Sequence, residues 1–368
     1  MKRLKIAISA RGLYSHFGGP FEYLHGFTRE FARQAAGRHD LFLYYNTPKL
    51  LGSYPQATER VLASDNYLVW DHLLLPRQLQ RDQIDLAIFL KGTMSAWLPC
   101  RAAVTMLDLG YFHPALHAYK TFITLYMRPA MQYAARRAWG IFTISEFTRQ
   151  EVIRLLGAPP ENVRTIYGAA DDRYRQPASP ADLERARTKY ALSQPFIFYP
   201  TSLSPRKNFP RLLDAFESLQ TRIPHHLYFT GNIAWNTDEI LKRLDGPLAA
   251  RVHRLGSVPP EDMPSLYRLA DFAIYPSLFE GLGLPILEAF HCGTPMLVSD
   301  QSCLPEVAAD AALVVDGLSV DALAQGLLQM ATDSALRARL QQAGYERVRA
   351  FTWEQTIAEV LDFIETRW

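Results

Sequence analysis

The sequence predicts an α/β protein made of two parallel-sheet domains around a central cleft. Three observations lead there. Short apolar runs alternate with helical patterns along the whole chain, which is the signature of parallel sheets covered by helices. The chain has 368 residues, too many for one ordinary core and suited to two. Charge is also divided: residues 1–175 hold 22 Lys/Arg against 14 Asp/Glu, and the remainder 39 − 22 = 17 against 37 − 14 = 23. A basic half and an acidic half point to two domains with different partners.

In the first half the apolar runs 4–9, 41–45, 86–90, 103–107 and 140–145 read as strands. Met1 to Ala10 imitates a signal peptide, but its apolar stretch is short and Arg11 interrupts it, so a buried first strand is expected. Ser145-Glu-Phe-Thr148 reads as a helix cap. The pattern breaks over 165–174, and Arg175-Gln-Pro-Ala-Ser-Pro180 has the composition of a linker. A second series follows at 195–199, 226–230, 252–255, 272–275, 296–299 and 312–315, with helical patterns at 211–219, 322–331, 333–345 and 353–368. Open α/β sheets bind ligands at the carboxyl ends of their strands, which makes the cleft the expected site. No apolar run approaches the roughly 18 residues of a membrane span. Cys100, Cys292 and Cys303 are odd in number and form no CxxC pair, as expected for a reducing cytoplasm.

The chemistry concentrates in Tyr275-Pro-Ser-Leu-Phe-Glu-Gly-Leu-Gly-Leu-Pro-Ile-Leu-Glu288 and the residues after it. An apolar run ends in Pro-Ser, a glycine-rich turn follows, and Pro285 opens a helical pattern. Strand, glycine loop and helix N-terminus form an anion cradle, because unpaired backbone N–H groups and the positive end of a helix dipole converge there. Glu280 and Glu288 bracket this cradle. Carboxylates repel phosphate but accept hydrogen bonds from diols, so the whole suits a nucleotide-sugar, a diphosphate between two polyols. Arg206 and Lys207, in Thr201-Ser-Leu-Ser-Pro-Arg-Lys-Asn-Phe-Pro210, lie at another strand-to-helix junction where cations and N–H groups together neutralise a diphosphate.

Ser-Pro-Arg-Lys-Asn208, Tyr-Arg-Leu-Ala-Asp271, the stretch from Pro276 to Ala289, Cys-Gly-Thr-Pro295, Phe142 to Thr148, and Leu304-Pro-Glu-Val307 before Ala312 to Asp316 resemble the retaining glycosyltransferases of family four. The likeness covers most of the chain and is stronger in the second half. It implies the GT-B fold, two Rossmann-like domains: an acceptor-binding domain over 1–175, with 353–368 packing back on it, and a donor-binding domain over 176–352. It further implies that Glu288 binds the donor ribose, that Glu280 lies near the hydroxyls of the transferred sugar, and that Gly281, Leu282, Gly283 and Leu284 present N–H groups to sugar and phosphate. Arg206 and Lys207 would hold the diphosphate as it leaves. Gly18 and Gly19, after the first strand, match a glycine pair that faces the diphosphate.

One departure concerns the transferred sugar. Where the family often carries His-Asp, this chain has Leu107-Asp108. Asp108 is kept as a catalytic candidate, and His113 is near enough in sequence to replace the histidine. Leu107 beside a C6 hydroxyl would leave it unpaired, which suits a 6-deoxyhexose; a drifted motif is the other reading. No Asp-x-Asp triplet occurs, so neither a divalent metal nor another cofactor is implied, and the remaining histidines have no metal spacing.

The segment 119–137 mixes aromatic, aliphatic and basic residues. It reads either as a peripheral membrane-docking helix or as a core helix with a basic outer side. The expectation is therefore a retaining, metal-independent transferase. It would move a hexose or 6-deoxyhexose from a nucleotide-diphosphate sugar, GDP-mannose or a GDP-6-deoxyhexose first, to a glycan or lipid-linked acceptor in lipopolysaccharide, O-antigen or related polysaccharide synthesis. It would work in the cytoplasm or at the inner face of the cytoplasmic membrane, with no nucleic-acid partner. A nucleotide-sugar 2-epimerase of the same fold and a non-catalytic nucleotide-sugar-binding module are the alternatives.

Overall fold

The computed structural model describes residues 2–13, 19–116, 119–231, 242–244, 246 and 248–368. They fall into two compact units. The first comprises Met1–Phe112, Tyr119–Ala169 and Phe351–Trp368; the second comprises His113–Ala118 and Ala170–Ala350.

The first unit is built on seven parallel strands: β1 (Lys5–Ser9), β2 (Asp40–Tyr45), β3 (Thr58–Val61), β4 (Leu86–Phe89), β5 (Arg101–Met106), β6 (Gly140–Thr143) and β7 (Val163–Thr165). Their order is β3-β2-β1-β4-β5-β6-β7. Ile6 of β1 stands level with Leu41 of β2 on one side and Leu86 of β4 on the other. All four residues of β4 and of β6 are buried, because helices cover both faces, and this makes central strands continuous apolar runs. β3 and β7 are the two strands that the apolar pattern does not reveal. β3 is an edge strand, Thr-Glu-Arg-Val, with its first and third residues exposed. β7 has only three residues, and Arg164 at its centre is exposed.

The C-terminal helix Trp353–Arg367 starts at Thr352, whose hydroxyl accepts from the Gln355 N–H at 3.2 Å. It packs within the first unit through two glycines. A Cβ on Gly26 would lie 2.1 Å from the Trp353 ring, and one on Gly140 would lie 2.6 Å from Phe363. Glu365 adds an ion pair with Arg38 at 2.5 Å and a contact with His39 at 3.1 Å.

The second unit carries six parallel strands: β8 (Phe196–Tyr199), β9 (His226–Thr230), β10 (Val252–Gly256), β11 (Phe272–Tyr275), β12 (Met296–Ser299) and β13 (Ala312–Val315), in the order β10-β9-β8-β11-β12-β13. Every residue of β8, β11 and β12 is buried. The unit begins at Ala170, ahead of the 175–180 stretch, for a local reason. Tyr174 is buried edge-on against Tyr267 at 5.9 Å, and Arg268 donates to the Tyr174 carbonyl at 2.8 Å.

Each sheet reverses its winding at one place, between β1 and β4 in the first and between β8 and β11 in the second. The connections leaving such neighbours diverge to opposite faces and open a crevice at the carboxyl ends of the strands.

Candidate active site

The two loops at the reversal point of the second sheet carry the candidate residues Arg206, Lys207 and Glu280. After β8 the chain makes a short turn, Pro205–Lys207, and enters the helix Phe209–Glu217. After β11 it runs through Pro276 to Gly283 and enters the helix Leu284–Cys292. Asn208 joins these loops. It sits in the left-handed region at φ 63°, which asparagine tolerates better than most residues. Its side-chain amide donates to the Pro276 carbonyl at 3.0 Å and to the Gly317 carbonyl, beyond β13, at 2.7 Å. Ser277 donates to the Arg206 carbonyl at 3.2 Å, and the Leu278 N–H donates to the same carbonyl at 2.8 Å.

This scaffold brings Arg206, Lys207 and Glu280 into one buried cluster. Glu280 Oε1 lies 2.7 Å from Lys207 Nζ, 2.6 Å from an Arg206 guanidinium nitrogen and 2.5 Å from the Ser277 hydroxyl. Lys207 also donates to Tyr275 Oη at 2.6 Å, and Arg206 to the Phe279 carbonyl at 2.8 Å. Lys207 is 7% exposed and Glu280 is 8% exposed. Burial alone would raise the Glu280 pKa, but Arg206 and Lys207 more than reverse this and hold the carboxyl well below the usual carboxylate range. Glu280 is therefore a carboxylate at neutral pH. With two cations and one carboxylate, the cluster has a residual positive charge.

Next to it Gly283, at φ 80°, caps the helix Leu284–Cys292. A Cβ here would meet Leu304 at 2.8 Å, so both conformation and space demand glycine. The first N–H groups of this helix have no carbonyl four residues back. At this end Pro285 has no N–H, and the Ile286 N–H donates to the Gly283 carbonyl at 2.9 Å. Glu288 lies on the same helix, half-buried, with Oε2 accepting from Tyr267 Oη at 2.7 Å. Neither glutamate acts as a helix cap.

The structure thus brings Arg206, Lys207 and Glu280 together in the second unit, with the 281–284 turn following directly in the chain and Glu288 further along the next helix, against Tyr267. His113 also belongs to this unit, with its ring 4.7 Å from that of Phe279, the residue before Glu280. Leu107 and Asp108 lie in the first unit, just after β5. Asp108 accepts from the Gly110 N–H at 2.9 Å and from Tyr119 Oη at 3.3 Å, so its carboxylate organises its own loop. Gly19 begins the helix Gly19–Ala35; Gly18 lies outside the described residues. Four residues with clear roles were not singled out from the sequence: Asn208, Ser277, Tyr267 and Ser302, whose hydroxyl accepts the Glu280 N–H at 3.0 Å. Asn208, Ser277 and Tyr267 lie within the motif stretches, but each of the four acts on a segment distant in sequence, so the sequence does not show its partner.

Residues 18–174 match the model described as Glycosyltransferase Family 4, and residues 181–347 match Glycosyl transferases group 1. The chain is 35% identical over 267 residues to the O-antigen chain mannosyltransferase B of Escherichia coli, covering 71% of this chain and 69% of that one. The chain belongs to glycosyltransferase family 4. This family 4 glycosyltransferase is also 29% identical over 227 residues to the serotype-specific mannosyltransferase WbdA of Escherichia coli, a match that spans 60% of this chain and 28% of WbdA. Its fold superposes on the glycosyltransferase of Rickettsia africae with a TM-score of 0.76 at 16% identity, covering 100% of this chain and 99% of that one. The two parallel-sheet units are those of the GT-B fold.

Proposed function

We propose that this glycosyltransferase is a retaining, metal-independent mannosyltransferase. It transfers mannose from GDP-mannose to a glycan or lipid-linked acceptor during O-antigen or related cell-surface polysaccharide synthesis. The buried Lys207–Glu280–Arg206 cluster beside a helix N-terminus carries this reading. It supplies fixed positive charge where a diphosphate would leave, without a bound ion. The mannosyltransferase names of the relatives favour the sugar. In the reaction the bond from the anomeric carbon to the phosphate oxygen breaks, and its electron pair stays with the phosphate. The acceptor hydroxyl forms the new bond on the same face and passes its proton to that phosphate. Lys207, Arg206 and the N–H groups at 281–284 stabilise the growing charge, Glu280 orients sugar hydroxyls and Glu288 holds the ribose diol. Leu107 supports a second reading, a GDP-6-deoxyhexose donor; faster turnover with the 6-deoxy donor than with GDP-mannose would select it.

Among GDP, UDP, dTDP and ADP, GDP is expected to raise the melting temperature most, since a ligand stabilises only the state that binds it. In Glu288→Ala the GDP affinity should fall about tenfold or more, the loss of a charge-assisted contact to a diol. Unchanged affinity removes the ribose role, and an equal shift from all four nucleotides removes the base assignment.

Membrane docking belongs to the same proposal. Among the described residues no helix is long and apolar enough to cross a membrane. The helix Thr121–Arg137 buries Met131, Ala134 and Ala135 near its end, yet leaves Phe122 69% and Leu125 72% exposed in its first half. Arg136 and Arg137 in its last turn are also exposed. Such a helix binds an anionic bilayer through apolar insertion and charge together. Vesicles containing phosphatidylglycerol should carry the protein up a flotation gradient at low salt, and Phe122→Ser with Leu125→Ser should abolish this. Equal flotation of that variant would contradict the docking face.

A further inference from the structure

The reversal point of the first sheet holds a second polar crevice that the donor chemistry does not use. Arg11 follows β1, and Lys91 follows β4 on the other side of the reversal. Asp71 reaches the same place from the helical segment Trp70–Leu74, and an Arg11 guanidinium nitrogen lies 2.9 Å from Asp71 Oδ2. Lys91 Nζ donates to the Arg11 carbonyl at 3.3 Å. Among the described residues this is the only hydrogen bond of the Lys91 ammonium, and Asp71 Oδ1 accepts none. The crevice therefore has both donors and an acceptor left over, in a setting where the Asp71 side chain is only 14% exposed. Burial, and then Arg11, lower the Lys91 pKa to about 8, and burial raises that of Asp71. Both groups are short of solvent. Aromatic surface adjoins them: the Arg11 guanidinium lies 5.9 Å from the centre of the Tyr67 ring, which is 44% exposed, and Tyr126 meets that ring edge-on at 5.6 Å.

Ligand chemistry follows from this set. An inorganic anion would suit Arg11 and Lys91 but meet Asp71 Oδ1, which, unlike the Glu280 oxygen enclosed by Lys207, Arg206 and Ser277, has no donor of its own among the described residues. A divalent cation would suit Asp71 but meet two positive charges. A polyol satisfies all three, because its hydroxyls donate to Asp71 and accept from Lys91 and Arg11. Its C–H face packs on an aromatic ring. We propose that this crevice seats a sugar ring of the acceptor glycan, held by Asp71, Lys91 and Arg11 and stacked on Tyr67. The acceptor's identity as a glycan rests on the transferase reading above; the polyol specificity of the crevice rests on these residues alone.

Asp71→Asn, Lys91→Met and the exposed Tyr67→Ala test it. Each should raise the acceptor KM about tenfold or more, as expected for losing a hydrogen bond to a charged group or a stacking face. The kcat at saturating acceptor and the affinity for GDP should stay within about threefold of the parent, since these residues grip the acceptor rather than the leaving group. In saturation-transfer NMR, methyl α-mannoside should give signals with the parent protein and lose them in Asp71→Asn and Lys91→Met. An acceptor KM within twofold of the parent in all three variants, or methyl mannoside signals that persist in them, would overturn the assignment. If the parent transfers no sugar at all, the transferase reading fails, and the NMR result still decides the crevice.

Discussion

Lys207→Ala is expected to cut turnover on the order of a hundredfold or more, the effect of removing one fixed group that stabilises charge developing on the leaving diphosphate. Lys207 Nζ is held by Glu280 and Tyr275, and its loop is fixed by Tyr199, which donates to the Lys207 carbonyl at 2.9 Å. Its ammonium is therefore placed before substrate arrives, and no reorganisation is needed as the bond breaks. Lys207→Met separates charge from packing, because it keeps most of the aliphatic stem and removes only the ammonium. Both variants should lose kcat together with kcat/KM, the pattern of an interaction stronger in the transition state than in the ground state. Near-normal turnover in Lys207→Met, with the parent melting temperature, would refute the assigned role.

Glu280→Gln should be destabilising without ligand and rescued by it. The substitution keeps the volume but removes the carboxylate shared by Lys207 and Arg206. A buried ammonium and a partly buried guanidinium are then left without their counter-charge, a loss of about 3 kcal/mol. A nucleoside diphosphate brings the missing negative charge to the same cations. GDP should therefore bind the variant more tightly than the parent and raise its melting temperature by a larger increment. Sugar transfer should nevertheless fall, because the group that orients the hydroxyls has been weakened. Equal unliganded stability and an equal GDP increment in parent and variant would show that Glu280 is not the charge partner of these two cations.

Much of the fold is legible because parallel sheets bury both faces. Phe196-Ile-Phe-Tyr199, Phe272-Ala-Ile-Tyr275 and Met296-Leu-Val-Ser299 are strands fully buried in the structure, and as uninterrupted apolar runs they cannot be mistaken. β3 and β7 were hidden for the opposite reason: edge or three-residue strands carry Glu59, Arg60 and Arg164, and pairing rather than hydrophobicity defines them. The candidate site was legible where local chemistry marks it, in Arg206-Lys207 and in Glu280, which the structure brings together. The groups that hold it together were not. Asn208 acts through Gly317, 109 positions away, and Ser302 supports Glu280 from a loop beyond β12 at φ 54°. A serine forced into the left-handed region shows its purpose only when its neighbour is known. Asp108 illustrates the same limit from the other side, because a sequence motif names the residue but not the Gly110 and Tyr119 partners that occupy its carboxylate.

The most direct test of the account is a crystal structure of the protein with GDP bound. The expected result places diphosphate oxygens within hydrogen-bond distance of Lys207 Nζ, the Arg206 guanidinium and the N–H groups at 281–284, with the ribose diol on Glu288. A diphosphate seated elsewhere, with Lys207 and Arg206 still closed on Glu280 alone, would contradict it.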